Sequence, residues 1–382
     1  MADQEIGVRV TRLAARKRAA QEAIQLQQHI NKKKRVVLGD IQNVMSSNGL
    51  VYDKIQGLGV GDDEKRKSKP KRKSSKRKTI EEKTDREKEE TDSAINECLE
   101  KCEDPQLCEA YASDIYEYLH KMEMEARRRP LSNYLEKIQR DMTANMRGIL
   151  VDWLVEVSEE YKLQSDTLYS TVSYIDRFLS TNAINRQRLQ LLGVSSMLIA
   201  SKYEEISPPH VDDFCYITDN TYSKQDIVKM EADVLKSLRF EMGSPTVKSF
   251  LRRFIRISQE DYRGSSLKLE FLGSYLGELS LLDYGCVKFV PSLVAASVMF
   301  LARFMLQPMV HPWNMALERH SGYKASDLKE CVAILHDLQL SKRGGALVAV
   351  REKYKQHKFK CVSMLSSPLE VPEPFFEDIK GN

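Results

Sequence analysis

Apolar residues recur along this chain at helical rather than strand spacing. The clearest case is MRGILVDWL, where Met146, Ile149, Leu150, Trp153 and Leu154 fall at i, i+3, i+4, i+7 and i+8, with Arg147 and Asp152 as one charge on each side. That stripe predicts a helix over 142–161. Further stripes predict helices over 166–179, 186–203, 209–217 and 224–238, the last opened by a capping box in which Ser223 precedes Asp226 by three residues. After the breaker Gly243-Ser244-Pro245 a second series is predicted over 247–257, 267–282, 291–306, 313–319 and 325–340. Upstream, Asp104-Pro105 offers a cap and a first helical position. The helix that follows carries Tyr111, Ile115, Tyr118, Leu119 and Met122 on one face and stops before Pro130. No convincing run alternates with period two, so the fold class is all-α.

The two series look like distant copies. Shifted by 101 positions, Tyr222, Asp226 and Val234 fall on Tyr323, Asp327 and Leu335, and VSSMLIASK at 194–202 falls on AASVMFLAR at 295–303. Small side chains in mid-helix let neighbours approach from several directions, which suits a central helix wrapped by others. Two five-helix domains are the simplest architecture, and chance likeness between buried helices is the rival explanation. The expected division is a disordered arm over 1–95, an N-terminal helix plus first domain over 104–243, a second domain over 244–365 and a tail over 366–382. Whether that tail packs on the body is not legible in the sequence.

Charge separates the arm from the body. Residues 1–78 hold 20 Lys and Arg against 8 Asp and Glu, so they carry +12 and the remainder −8 of the chain's +4. The arm has few large apolar residues and blocks of charge, so it cannot offset the entropy of ordering; at most a transient helix is expected around 12–30. The seven cysteines are an odd number without a CxxC pair, and no disulfide framework or zinc knuckle is readable. The start has no apolar core of signal-peptide length, and the longest apolar run, 289–302, is too short and too interrupted to span a bilayer. The expectation is a soluble protein of the reducing cytosol or nucleus, with no membrane partner.

MRGILVDWL, continued by VEVSEEYKL to Leu163 and by YIDRFLS at 174–180, closely resembles the opening of the cyclin box, and that of plant A-type cyclins in particular. The resemblance covers roughly 104–365 and is densest from 133 to 241. It implies two cyclin boxes in tandem and a regulatory subunit, not an enzyme, that binds and activates a cyclin-dependent kinase between S phase and mitosis. It also implies roles residue by residue. Lys202 in ASKYEEI and Glu231 in KMEADVL match positions that contact the kinase near its movable helix; as lone residues both would more often be solvated surface charges. Arg147 and Asp176 match a pair whose charges meet inside the first box, where structural and functional readings coincide. Met146, Ile149, Leu150, Trp153, Glu156, Leu189 and Gln190 match the shallow patch that docks Arg-x-Leu segments of substrates and inhibitors. Part of any such stripe is core, but Met and Trp are adaptable anchors, and Glu156 lies one turn beyond Trp153 to meet the ligand's Arg. Gly148 departs from the Ala usual in this motif and costs the helix up to ~1 kcal/mol.

The arm carries two further signals. Arg35-Val-Val-Leu38, followed by matches at Gly39, Ile41 and Asn43, resembles a destruction box read by the anaphase-promoting ubiquitin ligase, with nearby lysines from Lys54 to Lys78 as acceptors. Residues 65–78 hold ten Lys/Arg and no acid. Lys65, Arg66, Lys67, Lys71, Arg72, Lys73, Lys76, Arg77 and Lys78 read first as a nuclear localisation signal for an import receptor, then as nucleic-acid contact, then as a solubilising run. No aromatic residue interleaves them, so base stacking is not expected, and the acidic body argues against phosphate binding. Ser68, Ser74 and Ser75 would tune import if phosphorylated.

No catalytic or cofactor motif is present. Gly57-Leu-Gly-Val-Gly61 lacks a following Lys-Ser/Thr, the seven His form no metal-ligand pattern, and no kinase Gly-rich loop, HRD or DFG occurs in kinase order. No cofactor is expected. Tandem cyclin folds also occur in the basal transcription initiation factor, but that family begins with a zinc ribbon, and residues 1–95 contain no cysteine. A cyclin-like chain that binds a kinase without activating it is a third reading. Ser207, Ser244 and Ser367 each precede Pro, the minimal proline-directed phosphorylation signal.

Overall fold

The structure, a computed structural model, describes residues 111–260 and 265–377; the arm and the Asp104-Pro105 cap lie outside them. Helix α1 (Ala112–Met124) is followed by a 3-10 turn at Ala126–Arg128 ahead of Pro130 and by a single helical turn, Tyr134–Lys137. The first series is α2 (Ala144–Glu160), α3 (Ser165–Leu179), α4 (Leu189–Glu204), α5 (Val211–Ile217) and α6 (Lys224–Ser237). The second is α7 (Val247–Glu260), α8 (Ser266–Leu282), α9 (Pro291–Leu306), α10 (Met315–Ser321) and α11 (Ala325–Gln339). A shift of 101 positions carries the start of α3 onto that of α8 and the start of α6 onto that of α11, so the faint sequence repeat is a repeat of architecture. No strand occurs among the described residues.

Local chemistry sets the helix starts. The hydroxyl of Thr143 accepts from the Met146 N–H at 3.3 Å and begins α2 two residues later than its apolar stripe suggests. In α6 the expected capping box forms, with the Asp226 N–H donating to Ser223 Oγ at 3.2 Å and the Ser223 N–H to Asp226 Oδ2 at 3.0 Å. Asn314 caps α10 by accepting from the Leu317 N–H at 2.8 Å, so that helix starts at Met315 instead of Trp313. Trp313 is buried in the core, its indole N–H donating to the Tyr323 carbonyl at 3.0 Å.

The small-residue helices are central, as their composition suggests. From Leu191 to Ser201 every residue of α4 is buried, and from Val294 to Met305 every residue of α9 is. Gly193 permits a close approach: a Cβ there would meet Leu150 Cδ1 at 2.9 Å, so α2 lies directly on α4. Helix α1 differs from expectation. Of Tyr111, Ile115, Tyr118, Leu119 and Met122 only Met122 is buried, Leu119 is half-buried, and Tyr111, Ile115 and Tyr118 are exposed. The helix instead turns Glu123 inward, where its carboxylate accepts from the Ser292 N–H at 3.0 Å and from the Ser292 hydroxyl at 2.5 Å in the first turn of α9. A carboxylate there satisfies otherwise unpaired N–H groups and meets the positive end of the helix dipole.

After α11 the chain returns across both domains. Helix α12 (Ala349–Tyr354) is capped from the first domain by Asp152, whose Oδ1 accepts from the Ala349 N–H at 2.9 Å. Its other end reaches the second domain: Glu278 of α8 accepts from Lys353 Nζ at 3.0 Å and from the Tyr354 hydroxyl at 2.8 Å, all three side chains being buried. Lys353 also lies 3.4 Å from Glu159 of α2. Beyond it the tail packs: Phe376 stacks on Phe300 at 5.1 Å between ring centroids and Phe375 meets Phe304 edge-on at 5.9 Å.

Candidate partner-binding site

Arg147 and Asp176 come together. The Arg147 Nε–H and Nη2–H donate to Asp176 Oδ1 and Oδ2 at 2.8 and 2.7 Å, a bidentate pair between α2 and α3 with both side chains buried. The pair is a hub for more than two helices. Tyr134 donates its hydroxyl to Asp176 Oδ1 at 2.8 Å, and the Arg147 Nη1–H donates to the Leu281 carbonyl of α8 at 2.8 Å, which ties the two domains. Burial works against the charge on Arg147, but the Asp176 carboxylate and Tyr134 together outweigh it and hold the guanidinium above its ordinary pKa. This machinery lies inside the molecule and positions what is outside.

Lys202, at the end of α4, and Glu231, in α6, also meet, with Nζ donating to Oε1 at 2.6 Å and the lysine half-exposed. Around this pair the surface is unusually apolar. Ile206 is 103% exposed, Phe240 67% and Tyr203 57%, and Val228, one turn before Glu231, is exposed as well. Tyr203 reaches toward the turn after α6, because a Cβ at Gly243 would stand 2.8 Å from its hydroxyl. In that turn Arg239 and Phe240 both take left-handed backbone, with φ of 53° and 58°. For non-glycine residues this costs on the order of 1–3 kcal/mol each, strain that concentrates at functional sites. Sequence reading found the charged pair but missed Tyr203, Ile206 and Phe240. The non-helical Ser207-Pro208-Pro209 that leaves Ile206 outside any helix was a readable signal; nothing marked Phe240.

The seven residues of the expected docking patch divide into surface and floor. Glu156 is exposed, and Met146, Ile149 and Gln190 are partly exposed. Leu150 is 0% exposed and Leu189 is buried as well, so neither is a contact surface in this conformation: Leu150 is committed to Gly193 where α2 and α4 touch. Trp153 shows an edge, 8% of its surface. The two charges flanking the stripe both turn inward, Arg147 to the hub and Asp152 to α12. Burial raises the Asp152 pKa to about 6, with the Glu156 charge adding to it and the Ala349 and Val348 N–H groups opposing. Gly148 has a packing reason, since a Cβ there would lie 2.9 Å from Leu347 Cδ1 and 3.3 Å from the Leu282 carbonyl. Arg35, Leu38, Asn43 and the basic run from Lys65 to Lys78 lie outside the described residues.

No group of His, Cys, Asp and Glu among the described residues is arranged to hold a metal ion. Residues 114–243 match the family profile described as the cyclin N-terminal domain, and residues 245–368 that of the cyclin C-terminal domain. The chain is 58% identical over 371 residues to Cyclin-A3-1 of Oryza sativa subsp. japonica, covering 97% of this chain and 96% of that one. It is 66% identical over 280 residues to G2/mitotic-specific cyclin C13-1 of Daucus carota, covering 73% and 82%. Among solved structures a viral cyclin from herpesvirus saimiri shares the fold, with a TM-score of 0.51 and 21% identity over 58% of this chain and 95% of that one.

Proposed function

The chain belongs to the cyclin family, whose members are regulatory proteins and not enzymes, and on that premise we propose that it binds and activates a cyclin-dependent Ser/Thr protein kinase. The observation that carries this reading is the Lys202–Glu231 pair set among exposed Tyr203, Ile206, Val228 and Phe240. Fixed, solvated charges supply orientation there, and the apolar rim supplies area whose burial is worth about 25 cal/mol per Å². The kinase alternates between an inactive arrangement and one in which its movable helix completes a Lys–Glu ion pair. A protein ligand shifts that equilibrium only by its differential affinity; on this reading the face grips the active arrangement better.

The docking patch extends the proposal. Met146, Ile149, Gln190 and the edge of Trp153 offer a shallow apolar surface over a floor of Leu150 and Leu189, and Glu156 offers a carboxylate for the Arg of an Arg-x-Leu segment. Destruction through Arg35 and Leu38 by the anaphase-promoting ubiquitin ligase would make activation periodic, and the Lys65–Lys78 run would bring the chain into the nucleus. Likeness to an A3-type cyclin over nearly the whole length favours this reading over a transcription scaffold.

The test is histone-type phosphorylation by a purified cyclin-dependent kinase with and without the chain, beside a Lys202→Ala, Glu231→Ala variant. An exposed pair contributes only about 0.2–1 kcal/mol to stability, so the variant keeps its helical circular dichroism. The expected result is strong stimulation by the chain and none by the variant; full stimulation by the variant refutes the assigned face.

A further inference from the structure

The three Ser-Pro dipeptides are equal as sequence and unequal in the structure. Ser244 has its hydroxyl buried without a partner. Ser367 is half-buried, its hydroxyl 3.2 Å from Nε2 of the buried His336, which lies 2.8 Å from the Pro368 carbonyl as well. Ser207 alone of the three is exposed, in the irregular link between α4 and α5.

That link is held at both ends and free in the middle. Glu205 accepts from the Gln164 N–H at 2.7 Å and from the Thr167 hydroxyl at 2.5 Å, pinning the link to the start of α3. On the other side the His210 N–H donates to Asp213 Oδ2 at 2.7 Å and fixes the start of α5. Between these anchors Ile206 and Ser207 are exposed in a bend, followed by two prolines that lock φ and keep the preceding residue out of helical backbone. An exposed serine in non-helical backbone, followed by proline, is what a proline-directed kinase requires of its substrate.

We propose that Ser207 is a phosphorylation site for a proline-directed Ser/Thr protein kinase acting on the uncomplexed chain, and that its phosphate blocks the apolar face beside it. In the reaction the Ser207 Oγ attacks the γ-phosphorus of ATP, the bond to the ADP oxygen breaks, and the hydroxyl proton passes to the modifying kinase's catalytic Asp. The product adds a charge of about −2 one residue from the fully exposed Ile206. Its neighbours along the chain are mostly acidic: residues 203–213 contain Glu204, Glu205, Asp212 and Asp213, no Lys or Arg, and His210 as the one basic side chain. The two lysines nearby are engaged, Lys202 with Glu231 at 2.6 Å and Lys224 with Asp212 at 3.2 Å. Burying Ile206 against a partner would then carry an unpaired dianion toward a dry interface, at a cost that exceeds the apolar gain. Because linkage is reciprocal, a bound partner protects Ser207 as strongly as the phosphate disfavours the partner.

This inference rests on the kinase-binding face proposed above, and its test separates the two. The full chain and a Ser207→Ala variant are incubated with Mg-ATP and a mitogen-activated protein kinase, which is proline-directed and needs no cyclin. Phosphopeptides are mapped, and affinity for a purified cyclin-dependent kinase is measured before and after. The expected result is phosphate on Ser207 and not on Ser244 or Ser367, none at this site in the variant, at least roughly tenfold weaker binding after modification, and protection of Ser207 when the cyclin-dependent kinase is bound first. Absence of phosphate on Ser207, or modification without loss of affinity, overturns the inference while leaving the face intact. If the unmodified chain does not bind the kinase at all, the functional reading falls and this inference with it.

Discussion

Asp176→Ala is the perturbation that most directly probes what joins the two domains. It removes both acceptors of the bidentate pair and leaves the Arg147 guanidinium buried, with the neutral Leu281 carbonyl at 2.8 Å and Tyr134 as partners and no counter-charge. Because an Arg guanidinium keeps its proton in proteins, the charge cannot be relieved by deprotonation. Stranding one member of a buried pair costs about 3–5 kcal/mol, and the Tyr134 hydroxyl, which gave its hydrogen bond to the same carboxylate, adds about 1 kcal/mol. Against a total stability of about 5–15 kcal/mol, such a loss leaves a marginal protein. Urea unfolding followed by far-UV circular dichroism and by Trp153 and Trp313 fluorescence reads the effect, the two probes reporting whether the domains part company. The companion Arg147→Met, Asp176→Leu removes both charges together and is expected to recover about 1–4 kcal/mol relative to Asp176→Ala. Losses that simply add in the double variant, or an Asp176→Ala cost below about 1 kcal/mol, would refute the hub.

Other predictions follow from the same surfaces. Met146→Ala with Glu156→Ala should weaken phosphorylation of substrates bearing Arg-x-Leu and spare those lacking it; equal loss in both classes counts against the patch. Trp153→Ala is not a clean probe, since a Trp so buried costs about 3–5 kcal/mol on truncation. Asp152 favours its protonated form when folded, so its contribution is fully present below the unfolded value near 4 and is lost as pH rises through about 6. Asp152→Asn keeps the acceptor for Ala349 without the charge, so its Tm advantage over the parent should grow across that window and level off above it; a constant difference refutes the assignment. Arg35→Ala with Leu38→Ala should lengthen the protein's lifetime after mitosis, and unchanged turnover after a translation block removes the degron.

The helices were legible because each commits a periodic face to a core and begins at a chemical cap. Ser223 with Asp226 was readable outright, whereas Asn314 displaced α10 because its side chain, at the second position of the apolar stripe, captured the Leu317 N–H in the first turn. Apolar periodicity does not distinguish the floor of a groove from its surface, which is why Leu150 and Leu189 stood beside Met146 and Ile149 in one list. Helix α1 failed for a related reason: Glu123, the residue its pattern assigns to solvent, is the one that α9 requires. The return of the chain through α12 was invisible, since six residues hold little intrinsic helix propensity and depend on Asp152, Glu278 and Glu159 for their partners. Of the exposed rim around Lys202 only Ile206 had a signal, in the prolines that follow it; Phe240 had none, because exposure is a property of what fails to pack.

Helix α12 also imposes an order on synthesis. A ribosome that has released both five-helix series has still not delivered the Ala349 N–H, Lys353 or Tyr354, so Glu278 waits with a carboxylate that later lies buried. Nascent domains fold from the N-terminus forward, yet here α2 in the first of them receives one of its partners only after both helix series have been made. A message truncated after residue 340 would therefore encode both five-helix series and still lack α12, leaving Arg147 on the Leu281 carbonyl to tie them without the Asp152 and Glu278 contacts. Translation past Tyr354 is what closes the buried cluster around Glu278 and supplies the Ala349 N–H to Asp152.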